Sequence, residues 1–381
     1  MKTPRFLTGM VCAFMGIGLF VTTLAAAQTP RPDAPDEERL AEISEETGAI
    51  ASPTKISSDC TFDETYGLYL CPHAHPAVLP QANPEEHARA LAVLNTEGLL
   101  LVPDSTNLRV MAFDPETGDL VDPNFIPADP MNMDLPFNAI LSPNGNSILV
   151  SDQNNDVILE YDFNGSFAGI FAPIGGANET ILNNPRGITL APNGNLLITT
   201  TDDNVVQFDT DGNYLGEFIS TTNAGIPDSP YDIFGRSGDW LVTAALGDAV
   251  HRFDLSGSYL SDLAPVSSFP EQVTVAANGN VLVANFAGDL GVLEFTPAGV
   301  LANTHVVTVT GSAVGVRGVY ELPNGNILAG AGSINQGNLY EIDRNTAVVT
   351  GDPKLPPGSY TPRYIEFVTV PRTLFLPLVV R

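Results

Sequence analysis

Along most of the chain, short apolar runs end in Gly-containing polar turns and restart on the far side. Four copies carry Asn-Gly-Asn at the break: LSPNGNSILV from 141, LAPNGNLLIT from 190, VAANGNVLVA from 275 and ELPNGNILAG from 321. Weaker copies are NTEGLLLV from 95 and GRSGDWLV from 235. Asn-Gly between apolar runs predicts a β-hairpin in which both turn residues reach positive φ. The turn glycines are Gly98, Gly145, Gly194, Gly238, Gly279 and Gly325, spaced from 41 residues (Gly238 to Gly279) to 49 (Gly145 to Gly194). Each copy is followed by an apolar run that closes on an aromatic-Asp pair before another turn: Phe113-Asp114, Tyr161-Asp162, Phe208-Asp209 and Phe253-Asp254, with Phe295-Thr296 and Ile342-Asp343 as variants. The Asp caps its own turn and a Gly takes the left-handed position. Each repeat therefore holds four antiparallel strands, the make-up of one β-propeller blade.

The two ends set the predicted blade count. The C-terminal TPRYIEFVTVPRTLFLPLVV matches the opening of the repeat at NPRGITLAPNGNLLITT and supplies an inner and a second strand. The N-terminal CTFDETYGLYLC matches VQFDTDGNYLGEF, with Phe62-Asp63 as its aromatic-Asp pair, and supplies a third and an outer strand. Two strands from each end complete a seventh blade and leave no open edge. The prediction is an all-β, seven-bladed propeller over residues 55–381; the alternative is six blades with an extra C-terminal hairpin.

Composition adds what precedes this domain. Lys2 and Arg5, the apolar Phe6 to Leu24 and the small Ala25-Ala26-Ala27 read as a signal peptide over 1–27, cleaved before Gln28; a retained anchor is the alternative. Residues 28–54 are acidic, rich in Pro, Ala, Glu and Ser, and read as a flexible linker with a short helix near Glu37 to Glu46. The expected location is outside the cytosol, secreted or in the cell envelope. Without Lys2 and Arg5, 14 of the 16 basic residues remain against 44 acidic ones, a net charge of −30. Such a surface repels nucleic acid and anionic lipid, which excludes both as partners. Cys60 and Cys71 fall on adjacent strands of one hairpin, and an exported chain can oxidise them to a disulfide staple.

The P-x-G-hydrophobic opening, the Asn-Gly-Asn turn and the aromatic-Asp-x-x-Gly hairpin together resemble NHL repeats. They also resemble the propellers of the SMP-30/gluconolactonase and streptogramin-lyase-like families, over residues 56 to 381. In SMP-30 proteins a divalent metal sits on the channel axis, held by Glu, Asn and Asp where inner strands open. The matching positions here are Phe137, Arg186, Tyr231, Glu271, Arg317 and Arg363, with Arg89 in the first blade. Glu271 is the one carboxylate among them, and the arginines repel a cation, so no metal or other cofactor is expected. Streptogramin lyases use a histidine and a metal near the axis; His251 and His305 match no motif of theirs.

The arginines are the candidate chemistry. Arg89, Arg186, Arg317 and Arg363, with Tyr231, Asp232, Glu271 and Gln272 on the other blades, are expected where inner strands enter the channel. Converging guanidinium groups suit a carboxylate, phosphate or sulfate through bidentate charge-assisted bonds. Asp152-Gln153-Asn154-Asn155-Asp156 and Asp202-Asp203-Asn204 could hold calcium through oxygen ligands, but they recur at the same place in successive repeats, as turn residues do. His73 and His75 in CPHAHP, near His87, read as loop histidines. The function expected is a monomeric propeller binding a small anionic molecule or an extracellular protein at the channel mouth. The alternative is a lyase or lactonase-type hydrolase acting at that face.

Overall fold

The computed structural model describes residues 61–63, 68–70 and 83–370, except 227, 246, 267–268, 288–289, 310 and 333–336. Among these residues the chain forms a β-propeller of six four-stranded antiparallel sheets, with two separate two-stranded hairpins. Blade 2 runs through Pro136–Leu141, Ser147–Asp152, Val157–Asp162 and Phe167–Ala172 from the inside outward. Blades 3 to 6 repeat this order, with inner strands Ile188–Leu190, Pro230–Gly235, Pro270–Val275 and Val316–Glu321. Blade 1 is composite: its inner strand is Glu366–Val368, and Leu99–Asp104, Arg109–Phe113 and Leu120–Ile126 follow.

The six-blade alternative is therefore the one realised among the described residues. Glu366 pairs with Leu101 and Val368 with Leu99, so the C-terminal strand completes the first repeat rather than starting a further blade. Phe62 lies in an isolated hairpin, Thr61–Asp63 with Leu68–Leu70, in a different sheet from the strand that follows Tyr364. The reason lies in the residues before Leu99. Asn83 caps a helix, Pro84–Thr96, by accepting from the Glu85 amide; Pro84 sits in the first turn, followed by Glu85 and Glu86. Proline there forfeits no hydrogen bond, and acidic residues suit the positive end of the helix dipole. With that segment helical, the first repeat has no inner strand of its own and the chain's end supplies it. Ala90 and Leu94 pin the helix to the core beside Leu99 and Leu101.

Burial follows blade geometry. Second strands are covered on both faces by neighbouring blades: Leu99–Asp104, Ser147–Asp152, Trp240–Ala244, Val281–Asn285 and Ile327–Ala331 are buried at every position. Outer strands such as Tyr214–Ser220 are largely solvent-facing. The Asn-Gly-Asn turns differ from the expected geometry. The Gly145 amide donates to Ser142 O and the Gly325 amide to Leu322 O, and only the glycine reaches positive φ, 73° and 85°. The first Asn stays at negative φ and its side chain accepts from the residue after the glycine, as Asn144 does from the Asn146 amide. The aromatic-Asp turns form as read: Asp254 Oδ1 accepts from the Ser256 and Ser258 amides. Cys60, Cys71, His73, His75, the linker and residues from 371 on lie outside the described residues, as does the targeting segment. Among the described residues, no helix is long and apolar enough to cross a membrane.

Candidate functional site

Six residues open the six inner strands around the channel: Phe137, Arg186, Tyr231, Glu271, Arg317 and Arg363. This is the expected set without Arg89, and all six are buried. Arg89 lies on the helix instead, and its Nη2 donates to Val121 O of blade 1's outer strand at 2.8 Å. Helical periodicity, not strand pairing, governs that segment, so Arg89 is removed from the ring.

Each remaining arginine stacks on an aromatic ring. Arg186 lies 3.9 Å above the centre of Tyr231, Arg317 3.8 Å above Phe286 and Arg363 4.6 Å above Phe137. The rings continue across blades: Phe137 meets Tyr364 at 4.9 Å, and Tyr231 meets Phe269 at 4.9 Å. Guanidinium over a ring face gains cation–π attraction when water is excluded. Arg186 Nη1 donates to Ser229 Oγ at 2.8 Å and Pro230 O at 3.0 Å, and Arg363 Nε to Ser105 Oγ at 2.7 Å.

Arg317 differs. Its Nη1 binds Glu271 Oε1, but its Nε and Nη2 are buried with no hydrogen-bond partner among the described residues. Those two nitrogens form the side-on fork of a guanidinium, the edge that matches two oxygens of a carboxylate. Leaving buried donors unsatisfied costs about 1–3 kcal/mol each, more for charged groups. The aromatic seat and the Glu271 contact hold this fork in place.

The next residues along the inner strands form a polar layer. Gln272 Oε1 accepts from the Val319 and Ile365 amides, and its Nε2 donates to Ile365 O at 2.9 Å and Glu366 Oε1 at 3.1 Å, joining blades 5, 6 and 1. Asp232 accepts from the Val273 amide at 2.9 Å. Burial pushes Asp232 up to about 7, against bonds from backbone amides. Burial and the charge of Asp232 push Glu366, which keeps a little accessible surface, up to about 8.

The other candidates lie elsewhere. His251 is on the third strand of blade 4, with Nδ1 2.6 Å from Asp262 Oδ1 and Nε2 3.2 Å from Asp228 Oδ2. His305 ends blade 5's outer strand, with Nε2 2.9 Å from Glu294 Oε2. His87 sits on the helix against Asp122 and Phe163 O. Asp152 accepts from the Asn155 amide within its own turn, but also from the Asp134 and Leu135 amides 18 and 17 residues away, and Asp202 accepts from Asn183 Nδ2, 19 residues away, so these carboxylates tie separate loops together as well as capping turns. Among the described residues, no group of three His, Cys, Asp or Glu is placed to hold a metal ion. Sequence reading missed the stacking partners: Phe137 and Tyr231 carried the same repeat position as the arginines, whereas Phe286 bears no motif.

No protein-family model matches the sequence, and no curated protein does. Solved structures do match. A chain of a nidogen/laminin complex is 15% identical, with 70% of this chain and 97% of that one covered and a TM-score of 0.56. Virginiamycin B lyase of Staphylococcus aureus is 14% identical, with 72% and 89% covered and a TM-score of 0.51. A gluconolactonase of Xanthomonas campestris is 16% identical, with 59% and 77% covered and a TM-score of 0.48. Likeness at this identity shows the fold and no more: the first two, with TM-scores above 0.5, agree with the β-propeller that the sheets form.

Proposed function

We propose that this is an exported propeller that binds a small carboxylate-bearing molecule where the inner strands enter its channel, without turning it over. The observation that carries the reading is Arg317: a buried guanidinium seated on Phe286, with its side-on fork unpartnered. A carboxylate docked there would satisfy both donors in one plane. Arg186 and Arg363 add positive charge to the same ring of positions, Tyr231 and Glu271 complete that ring, and Asp232 and Gln272 stand in the next layer along the strands. A carboxylate presented by an extracellular protein is the second source of the same chemistry. The lyase or hydrolase alternative calls for a histidine or free carboxylates beside the arginines, and the contacts of Glu271, His251 and His305 do not favour it.

Calorimetric titration with acetate, succinate, citrate and inorganic phosphate tests this on the wild type and Arg317→Lys. Lysine keeps a charge for Glu271 but has no fork. Saturable binding of a carboxylate that weakens at least about tenfold in the variant, or about 1.4 kcal/mol, supports the reading. Equal affinity in both proteins, or no saturable binding, defeats it. Export rests on the segment Lys2 to Ala27. The intact mass of the protein recovered outside the cytosol should correspond to a chain starting at Gln28, and a mass that includes Met1 would mean a retained anchor.

A further inference from the structure

On the face where the Asn-Gly-Asn turns lie, blades 5 and 6 enclose a groove of about 430 Å³. Its floor is an ion pair with little spare capacity. Arg344 Nη2 and Nε reach Glu294 at 2.6 and 3.1 Å, and its Nη1 reaches Glu321. Glu294 also accepts from Asn280 Nδ2 at 2.5 Å and lies 2.9 Å from His305 Nε2. The walls are amides: Asn278, Asn303, Asn324 and Asn345.

The register places Ala302 and Asn303 in the lining. Phe295 pairs with Leu301 as Phe208 does with Tyr214 and Phe253 with Tyr259. Ala302 therefore stands where blade 3 carries Leu215 and blade 4 carries Leu260, and Asn303 stands opposite Glu294. Blade 2 carries Ala168 at that position, and in blade 5 Ala302 lines the groove beside Glu294 and Arg344. Turn formation occupies only part of the amides. Asn278 Oδ1 accepts from the Asn280 amide and Asn303 Oδ1 from the Thr304 amide, while among the described residues their Nδ2 groups and the Asn345 side chain make no hydrogen bond.

Planar side chains that each carry donors and acceptors suit adjacent hydroxyl groups. Charge selects against ions: the one guanidinium is spent on two carboxylates, so an anion finds no free cation, and the carboxylates are likewise engaged. Ala302 offers the one apolar side chain of the lining, which selects against hydrophobic ligands. We propose that this groove binds a neutral saccharide, independently of the channel. The volume falls within the usual range for small-ligand sites, roughly 300–1,000 Å³, and the fixed floor lowers the ordering cost of binding.

Calorimetric titration of the full chain with glucose, galactose, mannose, N-acetylglucosamine and their disaccharides tests this, with glucuronate and glucosamine as charged controls. Asn345→Ala and Asn303→Ala, both at accessible positions, are compared with the wild type and with Arg317→Lys. The expected result is saturable binding of at least one neutral sugar, weakened fivefold or more by each asparagine change and untouched by Arg317→Lys. No saturable binding of any neutral sugar, tighter binding of the charged controls, or equal binding by the asparagine variants overturns it.

Discussion

Two arginines of this propeller meet glutamates in opposite ways. At the rim, all three nitrogens of Arg344 are engaged by Glu294 and Glu321, and its side chain keeps 14% of its surface exposed. In the channel, Arg317 is 1% exposed and spends one nitrogen on Glu271. The rim cluster sets one guanidinium against two carboxylates with each of its nitrogens used, so its work is to fix the turns of blades 5 and 6. The channel pair is balanced in charge and incomplete in hydrogen bonds. A donor edge left over in a dry setting points to a ligand, whereas a saturated one points to structure.

The largest expected effect comes from removing the acidic partner in each place. Glu271→Ala leaves the Arg317 charge buried without its counter-ion and should cost about 3–5 kcal/mol. Glu321→Ala leaves Arg344 with Glu294 near solvent and should cost less than about 1 kcal/mol. Urea unfolding of the two variants measures both. Equal losses would erase the distinction between channel and rim.

The contrast was half visible in the sequence. The repeat alignment placed Arg186, Arg317 and Arg363 at one position of blades 3, 6 and 1, and the structure puts all three there, because strand register carries spacing into space. The alignment could not show what they touch. Phe286 reaches Arg317 from the end of a neighbouring blade's second strand, a contact that no local pattern encodes. Arg89 shows the opposite failure. The spacing of repeats predicts a strand there, whereas Asn83-Pro84-Glu85-Glu86 is a helix start that local sequence encodes. The same helix decides the closure, since the count of blades depends on whether the first repeat has its own inner strand. The Asp-capped turns were legible because the capping bond spans two to four residues. The rim groove was not, because its lining comes from two blades, Asn278, Glu294 and Asn303 from blade 5 and Asn324, Arg344 and Asn345 from blade 6.

The smaller effect is on pH dependence, and it separates the same two regions by sign. In the channel, burial raises Asp232 from 3.8 to about 7 and Glu366 from 4.5 to about 8. The unfolded chain loses these protons first, so their contribution to stability is full at acid pH and falls as pH rises from about 4 towards 8. The two carboxyls interact, so the fall belongs to the pair and not to either residue. At the rim, burial pushes Glu294 up, but bonds from Arg344, Asn280 and His305 outweigh it and bring it from 4.5 down to about 2. Its contribution is full above 4.5 and is lost as pH drops towards 2. Glu366→Gln should therefore flatten the alkaline side of the stability curve and leave the acid side alone. Glu294→Gln should do the reverse. Difference curves of unfolding free energy, wild type minus variant, remove the background of the other carboxylates. If both variants flatten the same side, the channel and the rim are electrostatically alike, and the case for a ligand at Arg317 loses its contrast.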